Sequence, residues 1–130
     1  MSAENQPTAY GRIFPPREEW LARAPAEAIL EPGIAIVDTH HHLWSERGRY
    51  LVEEFLADSA SGHNVEATVF IECRTNYRTD GPKELRTVGE VEFVAGLASQ
   101  CDADPRGKTR VAAGIVGYAD LTLGDREEPV

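Results

Sequence analysis

Asp38-Thr39-His40-His41-His42 stands at the end of a short apolar run, Ile34 to Val37. If that run is a strand, successive side chains turn to opposite faces. Asp38, His40 and His42 then share one face, and His41 takes the other. At about 3.3 Å per residue, His40 and His42 stand roughly 6.6 Å apart along the strand. Both rings can lean toward one cation at about 2.0–2.1 Å, the usual zinc–nitrogen distance. Neutral imidazole is the commonest metal ligand. Three of the four histidines are consecutive, internal and preceded by an apolar run, which argues against chance clustering and against a tag. The pattern predicts a divalent metal, zinc first, held by His40 and His42. His41 is expected to face the packing helices, and His63, in a loop, to be structural.

These two ligands are half of a site. A catalytic zinc commonly takes three protein ligands and keeps a position open. After His42 only His63 remains among the histidines, and no Cys-x-x-Cys, His-Glu-x-x-His, Gly-x-Ser-x-Gly or glycine-rich phosphate loop is present. Asp38 would anchor the strand end or orient a ligand histidine from behind. Further along, Glu72, Tyr118 and Asp120 each appear where an apolar run ends. Any strand becomes polar as it leaves a core, which accounts fully for Tyr118 and Asp120. It accounts less well for Glu72, a carboxylate directly after Val69-Phe70-Ile71. Glu72, Arg74, Tyr77 and Arg78 are the residues that could face a substrate. The two guanidiniums would suit a carboxylate, although solvated loop cations are the simpler reading.

The elements that must position these residues alternate in type. Residues 1–16 read as a flexible arm ending in Pro15-Pro16. Arg17–Leu30 has a short helical pattern that Pro25 divides into two turns. Ile34–Asp38 is a continuous apolar run, as expected of a strand buried on both faces. Leu51–Ala60 reads as a helix with Gly62 as its stop. Ala67–Cys73 is a second strand. Asp80-Gly81-Pro82 opens the clearest helix, with Asp80 as cap, and Val88, Val91, Val94 (or Ala95) and Leu97-Ala98 recur at helical spacing to Cys101. Val111–Val116 is a third strand, and Leu123-Gly124-Asp125 approaches another helix with Asp125 as a cap. Strands alternating with helices predict parallel βαβ units, an α/β fold with right-handed crossovers. Function in such sheets gathers at the carboxyl ends of the strands.

Composition sets the remaining bounds. The chain has 130 residues, 42% hydrophobic and 27% charged, which suits one globular domain. Its net charge of −9 argues against nucleic acid or an anionic membrane as partner. No run approaches the roughly 20 apolar residues of a membrane span, and the start lacks a basic segment followed by an apolar one. The two cysteines, Cys73 and Cys101, do not form a disulfide framework and read as reduced thiols of a cytoplasmic protein.

Asp38-Thr-His-His-His-Leu-Trp44 at the end of a first strand resembles the opening of the amidohydrolase superfamily. More narrowly, it is similar to the amidohydrolase-related branch of metal-dependent TIM-barrel hydrolases, with pyrone-dicarboxylate lactonases and aminocarboxymuconate-type decarboxylases among its members. Gly62–Cys73, Val88–Val94 and Val111–Asp120 look like the same branch, so the resemblance covers about residues 15–130. It implies an eight-stranded (β/α) barrel, with His40 and His42 as first-strand metal ligands and the remaining ligands and catalytic aspartate on later strands. Such a barrel typically needs about 250 residues. The chain would then hold the first three βα units, residues 17–130, of a barrel left incomplete within it. Three strands alone leave edges and apolar faces bare, which predicts self-association. The implied activity, expected of an intact barrel and not of these 130 residues alone, is hydrolysis of a C–O or C–N bond in a small organic substrate, a lactone or amide. A decarboxylase on the same fold and a non-catalytic remnant are the alternatives.

Overall fold

The computed structural model describes residues 17–25, 27–46, 48–102 and 108–123. The arm expected at 1–16 and the cap expected at Asp125 lie outside the described residues. In chain order the elements are α1 (Glu18–Leu21), β1 (Ala35–His41), α2 (Val52–Ser59), β2 (Asn64–Ile71), a 3₁₀ turn (Lys83–Leu85), α3 (Val88–Asp102) and β3 (Arg110–Val116). The strands form one parallel sheet in the order β1-β2-β3. The α/β class and the parallel alternation expected from the sequence are therefore present.

One apolar cluster joins the sheet to its helices. Leu43, Phe55 of α2, Phe70 of β2, Val94 of α3, and Val111 and Ala112 of β3 are its buried members. Burying a side chain the size of Phe70, which is fully enclosed, contributes about 2–3 kcal/mol. In α2, Phe55 is the residue that the helical spacing directs inward. The Glu54 carboxylate reaches back to accept the Leu51 N–H at 2.9 Å, which satisfies a first-turn donor and places negative charge at the helix start. Gly62, at φ +121°, takes the left-handed backbone just beyond the helix end.

Several boundaries differ from expectation, each for a local reason. Among the described residues no second helical turn precedes Leu30, and α1 is only four residues long. β1 does not stop at Asp38 but runs through His41, because its pairing with β2 continues to His41↔Phe70. β2 begins at Asn64, three residues early, and ends at Ile71. α3 does not start at Asp80. The backbone N–H of Arg78 donates to the Arg86 carbonyl at 2.8 Å, closing residues 78–86 into a loop, and the helix begins only at Val88. Val94, not Ala95, takes the core position.

β1 is also not buried on both faces. Val37 of β1 and Ile34 just before it are each 57% exposed, and Val116 of β3 is 49% exposed. Among the described residues the helices cover one side of the sheet, and β1 and β3 are each paired along one edge only. No helix among them is long and apolar enough to cross a membrane.

Candidate metal centre

His40 and His42 meet at the carboxyl end of β1. Their ring centroids are 5.0 Å apart and the rings stand nearly perpendicular, at 88°. His42 is fixed in place. Its Nδ1 lies 2.9 Å from the carbonyl oxygen of Ile71, at the end of β2. A carbonyl only accepts, so Nδ1 carries the hydrogen and Nε2 keeps its lone pair. The ring also stacks on Trp44, 5.8 Å away at 26°. Trp44 is held in turn by a two-bond backbone bridge with Tyr50, at 2.9 and 3.0 Å. His40 is exposed and bears no such restraint from its neighbours on β2.

His41 goes the other way, as strand alternation requires. It is 6% exposed. Its ring lies over Phe55 at 4.5 Å and meets Phe70 at 5.9 Å. Its Nε2 is 2.9 Å from the Thr68 hydroxyl oxygen, which also accepts the Ala112 N–H at 2.8 Å. Ala112 sits at φ +50°, in the stretch where β3 slips register against β2. The Thr68 hydroxyl thus satisfies an amide taken out of the ladder. Burial holds the His41 pKa below its ordinary value, and the Asp38 charge opposes that effect.

Asp38 does not fit simple alternation. One extra β1 residue lies between the pairs Asp38↔Thr68 and His41↔Phe70, so the face cannot be counted straight from residue 38 to residue 42. Its carboxylate accepts the backbone N–H of His40 at 3.0 Å. It shapes the backbone of the strand end and makes no hydrogen bond to either outer ring.

The residues after β2 divide by what they touch. The Glu72 backbone N–H donates to the Val116 carbonyl at 2.9 Å. Its side-chain Oε2 is buried without a hydrogen-bond partner among the described residues. Arg78 is engaged elsewhere: its guanidinium forks onto Glu92 of α3, with Nε 3.0 Å from Oε2 and Nη2 on Oε1. Arg74 is exposed and sits at φ +62°. Burial raises the pKa of the Tyr77 hydroxyl, Glu90 and Glu72 raise it further, and Arg74 and Tyr118 act more weakly, in opposite senses. Arg74, Tyr77 and Glu72 therefore lie in one electrostatic neighbourhood at the end of β2, and the Arg78 guanidinium is taken up by Glu92.

Asp120 accepts the Thr122 N–H at 3.0 Å and the Thr122 hydroxyl at 2.6 Å. Those two bonds lower its pKa and mark it as a turn cap. His63 is exposed at the amino end of β2, beside an open cavity lined by Ile29, Ile34 and Ile36, far along the sheet from the other histidines.

Sequence reasoning passes over Glu90. This carboxylate on the first turn of α3 is 1% exposed. Its Oε1 accepts the backbone N–H groups of Cys73 at 2.9 Å and Thr75 at 3.1 Å. A signal exists: residues 90, 94, 97, 98 and 101 fall on one helical stripe, so a single carboxylate heads an apolar row.

Among the described residues, no group of three or more His, Cys, Asp or Glu side chains could hold a metal. His40 and His42 supply two nitrogens, one of them oriented, and no more. Comparison with protein-family models, with curated proteins and with solved structures finds no match.

Proposed function

We propose that this chain carries the first-strand metal-binding corner of a metal-dependent hydrolase of the amidohydrolase-related type, built on a (β/α) barrel and acting on a lactone or amide. The supporting observation is the oriented His42. Its Nδ1–H is spent on the Ile71 carbonyl at 2.9 Å, its Nε2 lone pair is free, and the His40 ring stands 5.0 Å away. Metal-ligating histidines almost always donate their second nitrogen in this way. The parallel order β1-β2-β3 suits the opening of a barrel, and strand ends are where barrels build their sites.

His40 and His42 would hold a divalent ion, most simply zinc. Such an ion polarises a carbonyl and activates water. The described residues offer two ligands, so further ligands would come from chain beyond these three strands or from another chain. Asp38 sets the backbone at the strand end. Glu72 and Tyr77 would border the substrate, and Arg74 is the cation available to an anionic group on it. Arg78, paired with Glu92, is not.

The test is a panel of small lactones and amides offered to the zinc-supplemented protein, with the ring-opened acid and carbon dioxide measured separately. Acid release that stops with a chelator and in His40→Ala supports the hydrolase. Carbon dioxide as the product supports the decarboxylase instead. Turnover that survives both chelation and His40→Ala overturns a metal role for this pair.

A further inference from the structure

The loop that follows β2 is built under constraint, and the constraint comes from α3. Within three residues of each other, Arg74 and Asn76 take left-handed backbone, at φ +62° and +52°. Such conformations are uncommon for residues other than glycine and persist only where the surroundings hold them. The holding group is Glu90. Its Oε1 accepts from Cys73 and Thr75, the two amides that flank Arg74. Its other oxygen, Oε2, is buried without a partner among the described residues. Burying a carboxylate with half its acceptor capacity unused is costly. An apolar side chain would fill the head of the α3 stripe without that cost, so the two bonds are what the residue provides.

The rest of the interface agrees. Gly89, next to Glu90, lies so close that a Cβ there would stand 2.5 Å from the Arg78 nitrogen and 2.6 Å from the Asn76 oxygen. Helix backbone and loop backbone touch directly. Thr75 is 2% exposed and its hydroxyl accepts from the Asn76 side-chain Nδ2 at 2.9 Å. On the other side the loop joins Glu72, which follows Ile71, the residue whose carbonyl holds His42.

We propose that Glu90 is a positioning residue: its Oε1, accepting from Cys73 and Thr75, sets the left-handed turn at Arg74 and thereby presents Glu72, Arg74 and Tyr77 at the strand end that carries the two histidines. The assignment of a site to that strand end rests on the function proposed above. The turn itself does not.

The experiment is amide hydrogen exchange by NMR on the full chain, comparing wild type, Glu90→Ala and Glu90→Gln. Glutamine keeps a carbonyl oxygen able to accept both N–H groups without the charge. In Glu90→Ala the Cys73 and Thr75 amides should exchange about 100-fold faster, the consequence of two lost hydrogen bonds, while β1 amides keep their protection. Glu90→Gln should restore protection at both positions. Unchanged exchange in Glu90→Ala overturns the proposal. So does fast exchange in a folded Glu90→Gln, which decides the matter if the alanine variant does not fold. Zinc titration of the wild-type chain, run alongside, reports only on the metal reading. Its failure would remove the metal and leave the loop result standing.

Discussion

The side chain of His42 is tied to the backbone of Ile71: Nδ1 donates to the Ile71 carbonyl oxygen across 2.9 Å, from the end of β1 to the end of β2. This bond fixes which nitrogen is protonated. In ¹⁵N spectra of the neutral ring, His42 should therefore appear as the Nδ1–H tautomer. A spectrum dominated by the Nε2–H form would mean that the bond to Ile71 is absent and that Nε2 is not offered to a ligand.

The three consecutive histidines should separate sharply in stability measurements. His41 packs on Phe55 and bonds Thr68, so His41→Ala leaves a cavity and removes one of the two hydrogen bonds of the Thr68 hydroxyl. A loss of roughly 2–4 kcal/mol is expected. His40 is exposed, and His40→Ala should stay within about 0.5 kcal/mol of wild type. Urea denaturation of both variants checks this, and equal effects would contradict the assignment of faces.

Much of that division is legible in the sequence. Alternation alone sends His41 inward and the outer two rings outward, and the βαβ order follows from where the apolar runs fall. What is not legible depends on partners distant in sequence. β1 extends past Asp38 because β2 pairs with it that far, and Asp38 leaves its expected face because the pairing slips by one residue. The amide that Thr68 satisfies belongs to Ala112, 44 residues away. Arg78 reads as a loop cation until Glu92 is seen beside it. Glu90 reads as one more solvated helix carboxylate unless its place on the apolar stripe is weighed.

Two glycines of α3 should respond in opposite directions to the same substitution. At Gly89 a Cβ would stand 2.5 Å from loop backbone that cannot easily move, whereas at Gly96 nothing lies within 4 Å. Gly89→Ala should cost roughly 1–3 kcal/mol through overpacking, outweighing the gain in helix propensity. Gly96→Ala keeps that gain, about 0.5–1 kcal/mol. Thermal melts that shift in the same direction for both would refute the close approach at Gly89.

Alkaline stability should depend on Tyr50. Its hydroxyl donates to the Asp58 carboxylate at 2.6 Å, and burial, then this bond, push its pKa up to about 12, from about 10 in the unfolded chain. The folded state therefore holds the proton more tightly. The stabilisation is complete below about pH 10 and fades as the pH climbs through about 12. Tyr50→Phe should lack this component of the alkaline decline. Tyr50 is only half-buried and Asp58 is exposed, so the contribution of the pair at pH 7 should be below about 1 kcal/mol. An identical alkaline profile in the variant would show that the bond does not form in solution.

The central claim is that His40 and His42 bind one ion together and that His41 does not. Calorimetric titration of zinc into wild type, His40→Ala, His42→Ala and His41→Phe tests it most directly. The account predicts binding in wild type that weakens in each of the two outer variants and persists in His41→Phe. Zinc binding that is indifferent to both His40→Ala and His42→Ala, or absent from the wild-type chain, would contradict it.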